Sequence, residues 1–346
     1  MLSATPTYLY DSAKLLAQID EDSADSEEDR LTLRKYVENL LENGLPALIS
    51  DRYVSSLLGF RIELLYRISN SSDKFYRRFK IPKSTGGIRE ICEPLPALKL
   101  IQRTILTEIV EKLPVYIAAH AYRTGYSIKR NARIHSRQPY LLKMDIRNFF
   151  PSIHVGRVHK IFFDAGYTSQ VSAILASLCT DRGGLPQSAP TSAAISNVVM
   201  YPFDENMLKY CRNRNLRYTR YTDDISISGE YIYKEDIIFV SNIIYNDGFQ
   251  VNKEKTKKFG PGCAKIVTGV LINNRLRAPA KQRSLLRQEM HYVDTLGIWA
   301  HAERKKQSPL YCLRRLRGQS SFMSWLDPKD QEIKYYINIL NNIRVD

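Results

Sequence analysis

The stretch RYTRYTDDISIS, residues 217–228, decides the fold of this protein. Aromatic and β-branched residues alternate with other residues on both sides of Asp223-Asp224, a pattern typical of two short strands joined by a tight bend. The bend therefore carries two adjacent carboxylates between apolar strands. Because neighbouring residues of a strand point to opposite faces, Asp223 and Asp224 reach one site only if the bend rotates them.

A third acid precedes this hairpin in a similar setting. Asp145 ends the largely apolar run LLKMD (141–145) and lies 78 residues before Asp223. Carboxylates that meet at strand ends repel each other unless a cation lies between them. Oxygen ligands favour Mg²⁺, and two such ions about 3.5–4 Å apart serve in-line phosphoryl transfer. A bare Asp-Asp pair is typical of a plain turn, but Tyr-x-Asp-Asp between apolar strands favours a catalytic site with two Mg²⁺ ions.

The amino-acid composition indicates which class of molecule such a site acts on. The 346 residues include 51 Lys and Arg but 36 Asp and Glu, which gives a net charge of +15. Such an excess of positive charge indicates that the partner is a polyanion, and nucleic acid is the first candidate. An anionic membrane is the competing interpretation, but no apolar run approaches about 18 residues, so we expect no membrane span. The first residues lack the pattern of a signal peptide, which predicts a cytoplasmic protein. Five scattered cysteines argue against a disulfide framework and a zinc finger.

The charge is distributed unevenly along the chain. Residues 1–30 hold eight acids and two bases, and seven of those acids lie in the run DEDSADSEED (20–29). We interpret this run as a solvated, mobile loop. The alternative is an acidic segment that attracts a binding partner or mimics nucleic acid. Residues 251–346 hold 19 bases and eight acids, which is typical of a region that grips nucleic acid.

Residue periodicity predicts an irregular mixture of helices and strands, and hence an α+β fold. Helices are predicted in 31–69, 95–113, 158–179 with a break at Gly166, 191–210 as one long helix, 234–246 and most of 280–346. Strands are predicted at 75–81 and 88–92 around the Gly86-Gly87 turn, and at 140–146, 216–228, 250–258 and 265–273.

Five segments resemble the motifs of reverse transcriptases, in the order that this family has. They are IPKSTGGIREI (81–91, fingers hairpin), KMDIRNFFPSIH (143–154, motif A), GLPQSAPTSAAISN (184–197, motif B), YTRYTDDISIS (218–228, motif C) and GFQVNKEKT (248–256, motif D). Two positions depart from the common pattern: Ser188 stands where motif B commonly has Gly, and Thr222 stands where motif C commonly has Ala. Gly tolerates a positive φ, whereas Ser does so poorly. The Ser at position 188 therefore affects which backbone conformation is accessible next to Gln187.

Two further segments resemble signatures of retron reverse transcriptases. NARIH (131–135) is similar to the Asn-Ala-x-x-His signature, and Val267-Thr268-Gly269 is similar to the Val-Thr-Gly signature. Because both lie at their expected places, the chain is identified as a member of the retron-type bacterial reverse transcriptases. The resemblance covers residues from about 75 to about 275.

The resemblance implies a right-hand polymerase, an α+β fold with fingers, a palm with an antiparallel sheet and a helical thumb. We divide the chain accordingly into four segments. They are an N-terminal helical extension with the acidic loop (1–70), fingers with part of the palm (71–140), a palm with a fingers insertion at 155–185 (141–275) and a basic helical thumb (276–346).

The resemblance also implies roles for the residues around the acids. Asp145 and Asp223 bind both Mg²⁺ ions, Asp224 binds or supports one, and Ile146 lends a backbone carbonyl to a metal. Phe150 lies where the family has a bulky side chain under the sugar, which excludes a 2′-hydroxyl and selects deoxynucleotides. Core packing is the alternative for such a ring.

Four more residues match positions that contact the incoming dNTP. Gln187 matches the residue that contacts its sugar. Lys83 and Arg89 match the basic pair that grips the triphosphate, with ordinary solvated charges on an exposed hairpin as the alternative. Lys255 matches the motif D lysine that protonates the leaving pyrophosphate, with a solvated strand as the alternative.

Contacts with RNA are predicted in the two retron signatures and in the thumb. The residues are Asn131, His135, Val267, Thr268 and Gly269 in the signatures, and Arg314, Arg315 and Arg317 in the thumb. The alternatives are a structural histidine, a buried strand with a bend, and a helical bundle with one charged face. Basic residues bind phosphates without reading sequence, so specificity must come from the shape of the RNA.

We therefore expect an RNA-directed DNA polymerase of a retron. The resemblance implies a structured noncoding RNA as template and primer, dNTPs as substrates, priming from the 2′-hydroxyl of a guanosine, an RNA–DNA hybrid and a branched RNA–DNA product (msDNA). It also implies a role in anti-phage defence with a separate effector protein. The alternatives are another bacterial reverse transcriptase, of the group II intron, diversity-generating or abortive-infection type, and an RNA-binding scaffold whose polymerisation is incidental.

Overall fold

The computed structural model of the chain describes residues 26–82 and 88–345. The α-helices are α1 Glu27–Glu42, α2 Asp51–Leu58, α3 Ile62–Asn70, α4 Pro96–Glu108, α5 Ile128–Ile134, α6 Phe149–Ser152, α7 Val155–Asp164, α8 Ser169–Cys179, α9 Ser192–Val199, α10 Tyr201–Asn213, α11 Lys234–Asn246, α12 Ala280–Arg304, α13 Pro309–Leu326 and α14 Gln331–Asn342. The strands are β1 Tyr76–Pro82, β2 Ile88–Pro94, β3 Tyr140–Asp145, β4 Arg217–Tyr221, β5 Asp224–Gly229, β6 Lys257–Phe259, β7 Ile266–Val267 and β8 Val270–Leu271. Lys83, the Gly86-Gly87 turn and residues 20–25 of the acidic run lie outside the described residues.

The described residues form two compact units. The first contains the residues up to Tyr122, Ile146–Asn206 and Ile243–Val251, and the second contains Arg123–Asp145, Met207–Asn242 and the residues from Asn252 onwards. Within the described residues, no helix is long and apolar enough to cross a membrane. The division of the chain into extension, fingers, palm and thumb stays a prediction.

The first unit contains the β1–β2 hairpin and helices packed around an apolar core. β1 and β2 pair antiparallel, starting with Tyr76 opposite Pro94, which confirms the predicted hairpin strands. The fully buried Gln102 side chain of α4 connects β1 with α8. Its Nε2 donates to Tyr76 Oη in β1 at 2.7 Å and to the Leu178 carbonyl in α8 at 2.9 Å. α7 and α8 are separate helices, as predicted, and Gly166 between them has a φ of +105° that only glycine adopts readily.

The second unit is built on a four-stranded antiparallel sheet in the order β4-β5-β3-β6. The register places Asp145, the last residue of β3, opposite Asp224, the first residue of β5. α5 packs against β4, β7 and β8. One apolar core joins the sheet to α12, α13 and α14 through residues such as Leu141, Leu286 and Leu316, which are all buried. The sheet thereby holds the acidic ends of two strands side by side.

The end of the acidic run corrects the interpretation of residues 20–29 as a loop throughout. Glu27, Glu28 and Asp29 form the first turn of α1, and Ser26 is its N-cap. The Ser26 hydroxyl oxygen accepts a hydrogen bond from the Asp29 backbone N–H at 3.1 Å. Acids in a first turn are stabilised by the helix dipole, so these three carboxylates favour the start of a helix.

The single long helix predicted over 191–210 is wrong, because the chain forms the two helices α9 and α10. The first ends at Met200, whose φ of −84° and ψ of 5° leave the helical region. Pro202 explains the break: it lacks an N–H and its ring would clash with the carbonyl four residues earlier. A proline is tolerated in the first turn of a new helix, and α10 begins one residue before it.

Two predicted strands are also corrected. Residues 250–258 form a 3₁₀ turn at Lys253–Lys255 before the short strand β6, because the Asn252 carbonyl accepts hydrogen bonds from the Lys255 N–H at 3.2 Å and the Thr256 N–H at 3.1 Å. Residues 265–273 form the β7–β8 hairpin and not one strand. Thr268 and Gly269 have φ values of +46° and +79°, the left-handed pair that a two-residue type I′ turn requires.

Candidate active site

The hairpin of β4 and β5 carries two of the predicted acids. Tyr221 pairs with Asp224, so Thr222 and Asp223 are the two residues of the turn. Thr222 has a φ of +61°, a conformation that is strained for a β-branched residue. The buried Arg220 guanidinium donates from Nη1 to the Thr222 carbonyl at 3.0 Å and holds the turn. Since Asp223 lies in the turn and not on a strand, strand alternation does not force it away from Asp224.

The three acids meet at one end of the sheet in the second unit. The side chain of Asp145 is buried at the end of β3 and faces Asp224 in the register. Burial, followed by the repulsion of Asp145 and Asp224, raises the pKa of Asp223 to about 6. Burial and the charge of Asp145 also raise the pKa of Asp224, although Lys143 and Lys255 oppose the shift. This crowding of negative charge is the condition under which a cation stabilises a group of carboxylates.

The donor set fits Mg²⁺. Three carboxylates offer only oxygen atoms, the ligands that this hard cation prefers, and a Mg²⁺ site in proteins uses one or two carboxylates together with substrate phosphates. The raised pKa values of Asp223 and Asp224 show that the protein alone leaves part of their charge uncompensated. Asp145, Asp223 and Asp224 are therefore the residues that would hold the ions.

Lys255 and Asn252 both contact the first of these acids. Lys255 Nζ donates to Asp145 Oδ2 at 2.8 Å, and Asn252 Nδ2 donates to Asp145 Oδ1 at 3.1 Å. Partial burial lowers the pKa of Lys255, but the hydrogen bond and the charges of the acids outweigh it and leave the pKa raised. The solvated strand offered as the alternative for Lys255 is absent, since the residue belongs to a 3₁₀ turn. Asn252 was missed by sequence reasoning, although it stands within motif D.

The remaining motif A residues lie in the first unit. Ile146 is buried, and its backbone forms an isolated β-bridge with Val251. Phe149 is buried and its ring centroid lies 5.9 Å from that of Phe249, so it belongs to the core. Phe150 is only partly buried, which leaves part of its ring accessible. The carbonyl role of Ile146 and the gating role of Phe150 stay predictions.

The predicted nucleotide contacts of the fingers and motif B also lie in the first unit. The Gln187 carbonyl accepts a hydrogen bond from the Cys92 N–H at 3.1 Å, which joins the motif B loop to β2. Ser188 has a φ of +92°, so this serine adopts the conformation for which the family commonly uses glycine. Arg89 lies in β2 opposite Ile81, and Lys83 lies outside the described residues.

The two retron signatures contact each other in the second unit. Asn131 Nδ2 donates to Thr268 Oγ1 at 3.4 Å, and Thr268 Oγ1 donates to the Ile128 carbonyl at 3.3 Å. His135 is fully buried, with Nδ1 at 2.7 Å from Ser228 Oγ and Nε2 at 2.8 Å from Thr219 Oγ1.

This geometry corrects the predicted RNA contact of three signature residues. Both polar atoms of the His135 ring are used inside the protein, and Asn131 and Val267 are buried, so none of the three side chains reaches RNA directly. Thr268 is partly buried and Gly269 is exposed at the tip of the β7–β8 hairpin. For these two residues the RNA contact stays a prediction.

Two of the three thumb arginines are also engaged inside the second unit. Arg315 Nη1 donates to Glu289 Oε1 at 3.1 Å, and Arg315 Nη2 donates to the other oxygen of that carboxylate. Arg317 Nη2 donates to the Leu340 carbonyl at 2.8 Å and to the Ile343 carbonyl at 3.2 Å. These bonds correct the expectation that both side chains offer free charges to RNA, whereas Arg314 is exposed.

A second group of ligand-type atoms lies between α12 and α13. Glu289, His301 and Cys312 place one oxygen, nitrogen and sulfur atom each within 4.8 Å of one another. The Glu289 carboxylate is held by both terminal nitrogens of Arg315 and lies 3.2 Å from His301 Nε2. We interpret this group as an ion-pair network that fastens the helices, because a guanidinium occupies the position beside the carboxylate that a cation would need.

Comparison with known proteins places these features in a family. The chain matches the family described as "Reverse transcriptase (RNA-dependent DNA polymerase)" over residues 81–300. It is 33% identical over 276 residues to the Retron Mx65 reverse transcriptase of Myxococcus xanthus, covering 73% of this chain and 65% of that protein. It is 32% identical over 278 residues to the Retron Ec83 reverse transcriptase of Escherichia coli, covering 73% of this chain and 83% of that protein. A solved structure of apo telomerase from Candida tropicalis aligns with a TM-score of 0.40 and 13% identity, over 64% of this chain and 61% of that one.

Three acids at the end of an antiparallel sheet lie inside the matched segment, and the chain belongs to the reverse transcriptase family. The match confirms the α+β right-hand polymerase fold, and the family implies a divalent metal ion. More narrowly, the chain belongs to the retron reverse transcriptases, as its two signatures predicted. The chain spans just under two thirds of the length of the Mx65 relative.

Proposed function

We propose that the protein is the RNA-directed DNA polymerase of a retron, copying part of a noncoding RNA into single-stranded DNA. The observation that carries the proposal is the register of β3 and β5, which sets Asp145 opposite Asp224 and beside the turn residue Asp223. Nucleotidyl transfer needs such a concentration of carboxylates, and membership in the retron family supports RNA as the template.

The acids are proposed to act by holding two metal ions. Asp145 and Asp223 would hold both ions, and Asp224 would bind or support one of them. When bound there, two Mg²⁺ ions would supply the positive charge that stabilises the in-line displacement at the α-phosphate. The protein orients its carboxylates before the substrate arrives, because both strands that carry them are fixed in one sheet.

Lys255 is proposed to act on the leaving group. Its ammonium group lies 2.8 Å from Asp145 and its raised pKa keeps it protonated at neutral pH. The side chain is 59% exposed, so Nζ is held by one hydrogen bond and not by packing. A protonated, mobile ammonium group beside the acids is suited to give its proton to the departing pyrophosphate.

Residues of the first unit are proposed to bind the incoming dNTP. Phe150 selects deoxynucleotides through its accessible ring, and Gln187 contacts the sugar. The loop that carries Gln187 is held to β2 by the bond from Cys92, which supports a fixed position for the side chain. Lys83 and Arg89 are proposed to grip the triphosphate.

The retron family supports the rest of the proposal. A structured noncoding RNA serves as both template and primer, DNA synthesis starts from the 2′-hydroxyl of a guanosine, and the product is msDNA. The polymerase is proposed to serve anti-phage defence together with a separate effector protein, in the cytoplasm.

The test is to analyse nucleic acid that copurifies with the protein expressed from its native locus. Extraction, separate treatment with RNase and DNase, and sequencing should reveal a short single-stranded DNA joined to an RNA encoded beside the gene. The Asp223→Asn/Asp224→Asn variant is the matched control and should copurify with the RNA alone. DNA without a templated sequence, or equal DNA from the variant, would contradict the proposal.

A further inference from the structure

An exposed group of aromatic rings and cations lies at the other end of the sheet in the second unit. Tyr140 begins β3, and Tyr231 and Tyr233 lie in the loop between β5 and α11. The ring centroids of Tyr140 and Tyr231 are 4.7 Å apart, and those of Tyr231 and Tyr233 are 4.6 Å apart. These three rings, with Lys258 and Arg214, are called the tyrosine cluster below.

The rings of the cluster alternate with positive charges. Lys258 Nζ lies 4.6 Å from the ring centroid of Tyr231 and 5.1 Å from that of Tyr140, and Arg214 Cζ lies 5.5 Å from that of Tyr233. Tyr231 is 45% exposed and Tyr233 is 52% exposed. Each of these two rings has a cation over one face and remains about half exposed, which forms a surface suited to flat, anionic partners.

The cluster is held in place by a buried acid. Asp236 is 2% exposed and accepts hydrogen bonds from the Tyr233 backbone N–H at 2.7 Å, from Arg214 Nε at 3.1 Å and from Tyr210 Oη at 2.7 Å. Lys258 Nζ also donates to the Ile232 carbonyl. The loop and both cations are therefore fixed before any ligand binds, which reduces the entropy that binding must overcome.

We propose that the tyrosine cluster binds a single-stranded segment of the RNA partner, with unpaired bases stacked on Tyr231 and Tyr233. Aromatic side chains with interleaved cations are the surface that single-stranded nucleic acid uses, because every base has a π face and every nucleotide a phosphate. The exposed Glu230 in the same loop repels phosphates, so we expect stacking to contribute more than charge. The inference rests on the proposed function only in taking RNA as the polyanion.

The position of the cluster separates it from the reaction. Tyr140 and Asp145 stand at opposite ends of β3, five residues apart, which is about 16 Å at the rise of a strand. Bases stacked on the cluster therefore do not contact the three acids. Variants of the cluster should extend a short preformed RNA–DNA hybrid at the wild-type rate.

The test measures the affinity of the full chain, freed of nucleic acid, for a labelled unstructured RNA oligonucleotide by fluorescence anisotropy. The Tyr231→Leu/Tyr233→Leu variant keeps apolar side chains but removes both π faces, and we expect it to bind at least about 30-fold more weakly. The Tyr231→Phe/Tyr233→Phe variant keeps the rings and should bind within about twofold of wild type. Thermal unfolding of each variant establishes that the fold is retained.

Three further comparisons make the test specific. Tyr66→Leu, which removes a 40% exposed ring in the first unit, should leave RNA affinity unchanged. In the Tyr231→Leu/Tyr233→Leu variant, affinity for duplex RNA, whose bases are already stacked, should fall less than affinity for the single strand. Wild-type affinity of the leucine pair, or equal losses for both RNAs, would overturn the proposal and leave the surface to a protein partner. Failure of the wild-type chain to extend the hybrid would count against the proposed function alone.

Discussion

Thr222 and Ser188 occupy left-handed backbone conformations, with φ values of +61° and +92°, that favour glycine. Residues with a Cβ atom are strained there by about 1–3 kcal/mol. One of these residues adjoins the proposed metal ligand Asp223, and the other follows the proposed nucleotide contact Gln187. Backbone strain is therefore present beside two of the proposed site residues.

Asp223 gives the most direct prediction at this scale. Its pKa is raised to about 6 from a model-peptide value near 3.8, so the folded state favours the protonated carboxyl. The resulting stability is present below the unfolded value and is lost as the pH rises through about 6. Asp223→Asn removes the ionising group, and we expect it to stabilise the metal-free protein at pH 7.5 by about 1–3 kcal/mol while abolishing DNA synthesis.

Urea unfolding of the metal-free protein at pH 7.5 and pH 4.5 checks this expectation. The gain should shrink at the lower pH, where the wild-type carboxyl is largely protonated. Asp164→Asn is the matched control, because this acid is exposed on α7 and its loss should change the free energy of unfolding by less than about 0.5 kcal/mol. A gain of equal size at both pH values would show that ionisation of the buried carboxyl is not its cause.

At the scale of elements, α5 acts as a joint between the sheet and the β7–β8 hairpin. His135 at its C-terminal end bonds to Ser228 in β5 and to Thr219 in β4, while Asn131 bonds to Thr268 in the hairpin turn. The two strands on either side of the Thr222-Asp223 turn are thus held together by a fully buried histidine. Both retron signatures contribute to this joint.

His135→Ala should therefore destabilise the protein by about 2–4 kcal/mol, because it opens a cavity and leaves two buried hydroxyl groups without their partner. Urea unfolding measures the loss. His154→Ala is the control, since that ring is exposed and makes no capping bond at the start of α7. Wild-type stability together with lost RNA affinity would restore the direct-contact role that the structure contradicts.

The kink in α12 gives a second prediction for an element. Gly297 has a φ of 79° and a ψ of 164°, a region of backbone conformation that is essentially closed to other residues. The kink at this glycine lies between Glu289 and His301, whose side chains contact each other. We expect Gly297→Ala to destabilise the protein by about 1–3 kcal/mol, measured by thermal unfolding.

The neighbouring helix supplies the control for this substitution. Gly318 lies inside α13, where an added Cβ would have open space and the backbone is helical. Gly318→Ala should stabilise the protein by about 0.5–1 kcal/mol, because alanine loses less entropy than glycine in a helix. Equal effects of the two substitutions would show that the kink at Gly297 is not required.

Across the whole molecule, the parts that followed from the sequence were those set by local periodicity. The strands around Asp145 and Asp224, the fingers hairpin and the helices of the C-terminal region all carry such patterns. The side-chain bond from Asn252 to Asp145 and the burial of His135 against Ser228 join residues about 90–110 positions apart in the chain, and no local pattern reports those contacts. The same limit explains why Arg315 and Arg317 were assigned to RNA.

The net charge of +15 leads to a prediction for the whole chain. RNA affinity should fall by orders of magnitude between about 50 and 200 mM salt, because binding releases counterions from the phosphates. Asp223→Asn/Asp224→Asn removes two negative charges, so it should bind RNA at least as tightly as wild type at each salt concentration. Filter binding across a salt series measures both effects, and weaker binding by the variant would place the acids in RNA recognition.

The pairing of Asp145 with Asp224 also governs how retron polymerases of this kind tolerate changes in length. Strand residues alternate between two faces, so a single insertion within β3 or β5 would turn one acid to the opposite side of the sheet. An insertion of two residues would restore the face but shift the acid along the strand. Additions in the loops after Gly229 or before Tyr140 leave the pairing untouched. The pairing of the two acids therefore depends on the parity of residues within β3 and β5 and not on the length of the segments that join them.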